Sequence, residues 1–131
     1  VMTEKRTMKK ILLVEDDPLL IDIYSMKLKQ SGFQVLVAES GAKVLAAAEE
    51  QKPDLVLLDI VLPHIDGWDI LRSMRSSEKL KGVQVVVLSN LGQKEEIEKG
   101  LALGASKYLI KAHYTPSEIV QEVISLIGNP L

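Results

Sequence analysis

Four apolar segments of the sequence each end at a side chain that can take part in phosphoryl chemistry. Glu15 and Asp16 follow the first segment, and Asp59 follows the second. Ser89 follows the third and Lys111 follows the fourth. A carboxylate can bind a divalent cation or attack phosphorus, a hydroxyl can donate to a phosphoryl oxygen, and an ammonium can neutralise one. The residue types therefore indicate chemistry on a phosphoryl group.

The apolar segments are predicted to be strands of a parallel sheet. Residues 11–14, 55–58, 83–88 and 108–110 are rich in Val, Leu and Ile and show no polar alternation. Such runs are typical of strands that are buried on both faces by helices. Because the carboxyl ends of parallel strands lie along one edge, side chains far apart in the chain would meet there.

Helix signals alternate with the strands along the chain. Asp17 precedes Pro18 as an N-cap, and Asp66 is the N-cap of a helix that opens with Gly67. Thr115 and Glu118 form a capping box at the start of the last helix. Residues 34–38 are predicted to form one further strand. The total of five strands and five helices predicts an α/β fold with a doubly wound five-stranded parallel sheet and helices on two faces.

Length and composition limit the class of protein. The chain has 131 residues, 47% hydrophobic and 26% charged, with a net charge of −2 and no cysteine. The charge balance favours neither direct nucleic-acid binding nor a membrane surface, and disulfides and thiolate metal sites are excluded. We expect a cytoplasmic protein with no membrane association. Its single domain would span residues 9–128, between tails at 1–8 and 129–131, with no output domain.

Glu15, Asp16 and Asp59 would form a cluster of three carboxylates at the strand edge. Two carboxylates about 4 Å apart repel each other by roughly 4 kcal/mol at an effective dielectric constant near 20. The cluster must therefore take up a proton or hold a cation, and hard oxygen ligands suit Mg²⁺. A single acid at a strand end is more often a helix cap or a loop residue, but here four strands end at reactive side chains.

The order and spacing of these motifs resemble the receiver domain of bacterial two-component response regulators. The resemblance extends from about Lys9 to Ile127, and the successive gaps are 43 positions from Asp16 to Asp59, 30 from Asp59 to Ser89 and 22 from Ser89 to Lys111. Four motifs carry it: ILLVEDDP (11–18), DLVLLDIVLPHIDGWD (54–69), VVVLSN (85–90) and GASKYLIK (104–111). The resemblance implies the flavodoxin-like strand order 2-1-3-4-5.

The resemblance also implies a role for each residue of the site. Asp59 would accept the phosphoryl group from a histidine kinase or a phosphotransfer protein. Mg²⁺ would be bound by Asp16, Asp59 and the backbone carbonyl of Val61, with Glu15 acting through water. Lys111 would stabilise the charge on the transferred group.

The signal would leave the site through two switch residues. In the family pattern Ser89 moves toward the aspartyl phosphate, and Tyr108 follows by changing rotamer. This change would alter the face formed by the fourth helix, the last strand and the last helix. The receiving partner would be an unknown downstream protein or an output domain removed from this chain.

Two positions depart from the family pattern. The family usually has Pro after the lysine, whereas this chain has Ala112. We therefore expect the Lys111–Ala112 peptide to be trans in a rearranged loop or to be a strained cis bond. The family also favours Ala or Gly where this chain has Asn90, which would either narrow access to Asp59 or orient a hydrolytic water.

Other functions remain to be weighed against a phosphorylation switch. The alternative is a receiver-like protein-binding module that works without phosphorylation. An aspartate-nucleophile phosphatase is disfavoured because Val61 stands where that family needs an acid. A flavodoxin-type protein is disfavoured because Glu15 and Asp16 would repel a bound phosphate. The last helix has no Lys or Arg, so we expect a monomer or a weak dimer that forms on activation. We do not expect an enzyme that acts on free substrates.

Overall fold

A computed structural model describes residues 8–63 and 65–131. The predicted N-terminal tail, apart from Met8, lies outside the described residues, as does His64. Five strands form one parallel sheet in the order β2-β1-β3-β4-β5, which confirms the predicted topology. The strands are β1 (Lys10–Val14), β2 (Gln34–Ala38), β3 (Leu55–Leu58), β4 (Gln84–Ser89) and β5 (Lys107–Ile110).

Helices connect successive strands, and a fifth helix follows the last strand. They are α1 (Pro18–Gln30), α2 (Gly41–Gln51), α3 (Gly67–Ser76), α4 (Lys94–Ala102) and α5 (Pro116–Ile127), with a short 3-10 turn at Lys111–His113. The alternation of strands and helices confirms the predicted α/β class. Within the described part of the chain, none of the helices is long and apolar enough to cross a membrane.

Capping side chains fix the starts of three helices where the sequence predicts them. Asp17 accepts a hydrogen bond from the Leu19 amide at the start of α1, and Asp66 does the same at the start of α3. Thr115 Oγ1 accepts from the Glu118 amide at the start of α5. These bonds satisfy amides that have no partner inside the helix. α1 begins four residues after the end of β1, whereas a longer loop separates the end of β3 at Leu58 from the start of α3 at Gly67.

The core consists of two apolar clusters, one on each face of the sheet. Leu55 and Leu57 of β3 pack on one face in a cluster that includes Leu28 of α1 and side chains of α5. Val56 and Leu58 pack on the other face with side chains of α2 and α3. Both faces of the central strands are thus buried, which explains why their sequences are apolar without alternation.

The two ends of the described chain meet at the amino-terminal edge of the sheet. The Lys9 amide donates to the carbonyl oxygen of Pro130 over 2.8 Å, and the Lys9 ammonium reaches the carbonyl of Ile127. Residues 129–131, expected to be a tail, therefore contact the start of β1. This edge is opposite the one at which the reactive side chains gather.

Candidate functional site

Strand pairing brings the reactive side chains to one edge of the sheet. The β1–β3 and β3–β4 pairings end at Leu58, with Val14 and Val87 as its partners, one residue before Asp59. The last pair of β4 and β5 joins Ser89 to Ile110, one residue before Lys111. The gathering of side chains predicted from four strand ends is confirmed by this register.

Three carboxylates converge at this edge. Glu15, Asp16 and Asp59 each offer a carboxylate oxygen, and these three atoms lie within 4.8 Å of one another. Glu15 and Asp59 are only 2% and 6% exposed, whereas Asp16 faces solvent. Glu15 Oε2 also accepts hydrogen bonds from the amides of Asp16 and Asp17 at 3.1 and 3.2 Å. These bonds fix the carboxylate at the turn that leads into α1.

Lys111 is the cation that contacts both buried carboxylates. Its Nζ lies 2.6 Å from Glu15 Oε1 and 2.9 Å from Asp59 Oδ2. Burial alone would lower the pKa of Lys111, but the hydrogen bonds to the two carboxylates outweigh burial and raise the pKa. Burial raises the pKa of Glu15 above its usual value, against the effect of Lys111 and with the help of the Asp59 charge. One ammonium therefore faces three carboxylates, and negative charge remains in excess.

The two carboxylate oxygens of Asp59 have different hydrogen-bond partners beside a small cleft. Its Oδ2 contacts Lys111, while Oδ1 accepts a hydrogen bond from the Val61 amide over 3.1 Å. The cleft has a volume of about 470 Å³ and is open to solvent. Its walls include the three carboxylates, Val61, Ser89, Asn90 and Lys111. A group that enters this cleft can therefore contact both the Asp59 carboxylate and the Lys111 ammonium beside it.

The donor set fits a hard divalent cation. Mg²⁺ prefers oxygen ligands and is commonly bound by one or two carboxylates together with waters and a phosphate oxygen. The three converging carboxylate oxygens supply such ligands and carry the excess negative charge that a cation would offset. Asp16, which is exposed, and Asp59, which lies at the base of the cleft, could share one ion.

Ser89 and Tyr108 are linked through the loop that follows β4. Ser89 is fully buried, and its Oγ accepts a hydrogen bond from the Leu91 amide over 3.2 Å. The Tyr108 hydroxyl donates to the carbonyl oxygen of the same Leu91. The Tyr108 ring stacks on Trp68 with centroids 6.4 Å apart, and burial raises the pKa of Tyr108. The two predicted switch residues therefore share a single loop residue, Leu91.

The two departures from the family pattern contact each other. The Lys111–Ala112 peptide is trans, and the described part of the chain contains no cis peptide bond. Residues 111–113 form a 3-10 turn, so of the two predicted alternatives the rearranged trans loop is the one observed. The Ala112 amide donates to Asn90 Oδ1 over 3.2 Å.

Sequence reasoning missed Gly67 as a site residue. A Cβ atom built on Gly67 would lie 2.5 Å from Ile60 Cα and 2.8 Å from the carbonyl oxygen of Asp59. The start of α3 therefore packs directly on the backbone of Asp59 and Ile60, and only glycine fits. The sequence showed Asp66 and Gly67 as a helix start, but the close approach of two backbones has no signature in a single sequence.

Known proteins share this fold and these motifs. The model of the response regulator receiver domain family matches residues 11–124. The probable transcriptional regulatory protein SilR of Salmonella typhimurium is 42% identical over 124 residues, which cover 93% of this chain and 53% of SilR. The DNA-binding dual master transcriptional regulator RpaA of Synechocystis is 34% identical over 120 residues, 92% of this chain and 49% of RpaA. The chain thus spans about half the length of these relatives.

A solved structure supports the same assignment and contains a metal. The receiver domain of the sensor histidine kinase PA1611 from Pseudomonas aeruginosa superposes with a TM-score of 0.84 at 28% identity. The match covers 94% of this chain and all of that domain, which has a magnesium ion coordinated in its active site cleft. With the family model, the relatives and the strand-edge cluster of acids and lysine in agreement, this chain belongs to the response regulator receiver domain family, the signalling domains of two-component systems.

Proposed function

We propose that this domain is a phosphorylation switch whose phosphoacceptor is Asp59. The observation that supports it best is the pair of contacts around Asp59, with Oδ2 on the Lys111 ammonium and Oδ1 on the Val61 amide. Asp59 is largely buried, but its carboxylate lines a cleft that is open to solvent. A donor can therefore approach from solvent, while the protein fixes the nucleophile.

The proposed reaction transfers a phosphoryl group from a phosphohistidine. A carboxylate oxygen of Asp59 forms a bond to phosphorus as the phosphorus–nitrogen bond breaks, and the electron pair of that bond stays on the imidazole. Lys111 donates to the phosphoryl oxygens, while Glu15 holds Lys111 beside Asp59 through its 2.6 Å contact. No residue of the site has to act as a general acid, because the departing imidazole takes its proton from solvent.

Mg²⁺ is the cofactor that the donor set supports. We infer that Asp16, Asp59 and the carbonyl of Val61 hold the ion, with Glu15 contributing through a water. The bound ion would offset carboxylate repulsion and withdraw charge from the phosphoryl oxygens. The protein itself orients the Glu15 carboxylate, because two backbone amides at the turn after β1 donate hydrogen bonds to it.

The proposed readout is the face formed by α4, β5 and α5. Ser89 would release the Leu91 amide when its hydroxyl donates to the phosphoryl oxygens. Because Leu91 also accepts from Tyr108, movement of this loop would reposition the Tyr108 ring on β5. A local change of about two negative charges would thus become a change in surface shape.

The proposed partners follow from the family and from the charge of this surface. The phosphodonor would be a histidine kinase or a phosphotransfer protein in the cytoplasm. The receiver of the signal would be a separate protein or an attached output domain, and the domain itself would not bind nucleic acid. Lys107 is paired with Glu122 across β5 and α5 within one chain. This pairing favours a monomer or a weak activation-dependent dimer.

Intact mass after incubation with acetyl phosphate and Mg²⁺ tests the function. We expect one added phosphoryl group that requires Mg²⁺ and is absent from Asp59→Ala. Asp54→Ala is the matched control, because Asp54 lies at the opposite end of β3 and accepts from the Lys10 amide. If no adduct or beryllofluoride complex forms on the wild type, the domain is a binding module that acts without phosphorylation.

A further inference from the structure

The two residues that depart from the family pattern form one hydrogen bond. Asn90 follows Ser89 at the end of β4, and Ala112 follows Lys111 after β5. The Ala112 amide donates to Asn90 Oδ1 over 3.2 Å. Proline at position 112 would have no N–H, and alanine or glycine at position 90 would have no side-chain acceptor. The bond therefore exists only because both positions have changed.

This bond lies just beyond the end of the β4–β5 ladder. The last ladder pair joins Ser89 to Ile110. The Asn90–Ala112 hydrogen bond connects the two segments again, two residues after the end of β5. Lys111 is the residue between these two ties. Its backbone is consequently held on both sides, by the sheet before it and by the Asn90 side chain after it.

The 3-10 turn that contains Lys111 includes one long backbone hydrogen bond. Within residues 111–113 the 3-10 turn is closed by the Tyr114 amide, which lies 3.4 Å from the carbonyl oxygen of Lys111. That distance is at the long end for a hydrogen bond. Lysine has a long flexible side chain, so the position of its ammonium depends on how well its backbone is fixed. The contacts of Lys111 with Glu15 and Asp59 are therefore sensitive to this turn.

We propose that Asn90 is a positioning residue that holds Lys111 at the phosphorylation site through the Ala112 amide. It replaces, in this chain, the restraint that proline supplies at the position after the lysine. The inference rests on the proposed function, since it concerns how fast Asp59 is phosphorylated. Asn90 itself makes no bond to the transferred group in this role and acts only through the turn.

A double-mutant cycle tests whether the two residues act as one unit. The rate of Asp59 phosphorylation by acetyl phosphate with Mg²⁺ is measured for wild type, Asn90→Ala, Ala112→Pro and the double variant. Asn90→Ala should slow phosphorylation about threefold to tenfold, as expected for loss of one hydrogen bond. In the Ala112→Pro background the same change should have almost no effect, because the N–H is already absent. Ala112→Ser keeps the N–H, so in that control background the full effect should persist.

A second cycle tests whether Asn90 acts through Lys111. In the Lys111→Met background there is no ammonium to position, so Asn90→Ala should no longer change the residual rate. A purely structural or steric role of Asn90 would slow phosphorylation by the same factor in both backgrounds. Equal factors in either cycle would overturn the proposal.

Amide exchange tests the bond without any phosphorylation. The Ala112 N–H of the unmodified wild type should exchange with solvent several-fold more slowly than that of Asn90→Ala, while the Leu91 amide, bound to Ser89 Oγ, is unchanged. Equal exchange rates for Ala112 in the two proteins would refute the inference even if Asp59 is phosphorylated normally. Conversely, failure of phosphorylation in the wild type would refute the proposed function while leaving this readout intact.

Discussion

At the scale of single residues, the site has more negative than positive charge. Lys111 satisfies Glu15 and Asp59, but Asp16 adds a third carboxylate within 4.8 Å. Burial raises the pKa of Glu15, and the Asp59 charge adds to this rise, against the effect of Lys111. If these residues bind Mg²⁺ and a phosphoryl group as proposed, the same carboxylates repel one another when no cation is bound.

Lys111→Met should change both the stability of the metal-free domain and its stabilisation by Mg²⁺. Without its ammonium, Glu15 and Asp59 lose their cation, and the free energy of unfolding without metal should fall by about 3 kcal/mol. Mg²⁺ should then stabilise the variant more than the wild type, since it no longer competes with an ammonium for the same oxygens. Urea unfolding with and without Mg²⁺ measures both quantities.

The matched control is Lys81→Met. Lys81 pairs with Glu78 on the surface at 2.9 Å, so its loss should change stability by less than about 1 kcal/mol and leave the Mg²⁺ response unaltered. A Mg²⁺ response in Lys111→Met no greater than that of the wild type would show that the cation is bound elsewhere.

At the scale of elements, caps and ladders were predictable and close approaches were not. Thr115, Asp17 and Asp66 are helix caps with clear local signals, and each lies where the sequence predicts. Gly100 of α4 had no such signal. A Cβ atom at Gly100 would lie 2.8 Å from Cδ2 of Tyr108, so the absence of a side chain at Gly100 allows the Tyr108 ring to pack against α4. The sequence shows only a glycine inside a helix, and helix propensity alone would predict that it destabilises the helix.

The capping box of α5 gives a pH-dependent prediction. Hydrogen bonds to the backbone and side chain of Thr115 lower the pKa of Glu118 below the ordinary value of a glutamate. A depressed folded-state pKa adds stability that is present above the unfolded pKa and is lost as pH falls through the folded value. The stability of the wild type relative to Glu118→Gln should therefore decrease between pH 6 and pH 3.

Urea unfolding at several pH values measures this difference. The glutamine side chain keeps a carbonyl oxygen that accepts from the Thr115 N–H, but it does not titrate. The pH effects of all other groups are the same in both proteins and cancel in the comparison. Parallel stability curves for the two proteins would show that the Glu118 carboxylate is not held by the cap in solution.

At the scale of the whole molecule, the fold and the gathering of the acids, serine and lysine were predictable because strand ends must share an edge. The link between Ser89 and Tyr108 was not predictable, because it runs through the backbone of Leu91, and a backbone contact leaves no signal in the sequence. Ser89 and Tyr108 meet at this residue, and the Tyr108 ring stacks on Trp68 beside α4. The predicted pair of switch residues was therefore available from the family pattern, but their common contact required the structure.

The only tryptophan of the chain should report activation along this route. Trp68 is stacked on Tyr108, and the Lys99 ammonium lies 4.8 Å from its ring centroid. If Ser89 releases Leu91 when Asp59 carries a phosphoryl group, Tyr108 loses its acceptor and the surroundings of the indole change. We expect the fluorescence of Trp68 to shift on addition of beryllofluoride with Mg²⁺, and this shift should be absent in Asp59→Ala.

Tyr108→Phe distinguishes this route from a direct effect of the site on Trp68. The phenylalanine ring keeps the aromatic contact but has no hydroxyl to donate to Leu91, so the ring is already uncoupled from the loop. The fluorescence change on activation should then be much smaller than in the wild type, although beryllofluoride still binds at Asp59. A change of undiminished size would mean that the signal reaches α3 through Gly67, which packs on the backbone of Asp59 and Ile60, rather than through the loop after β4. The two routes lead to different surfaces, so this one comparison decides whether a partner should be sought at the α4–β5–α5 face.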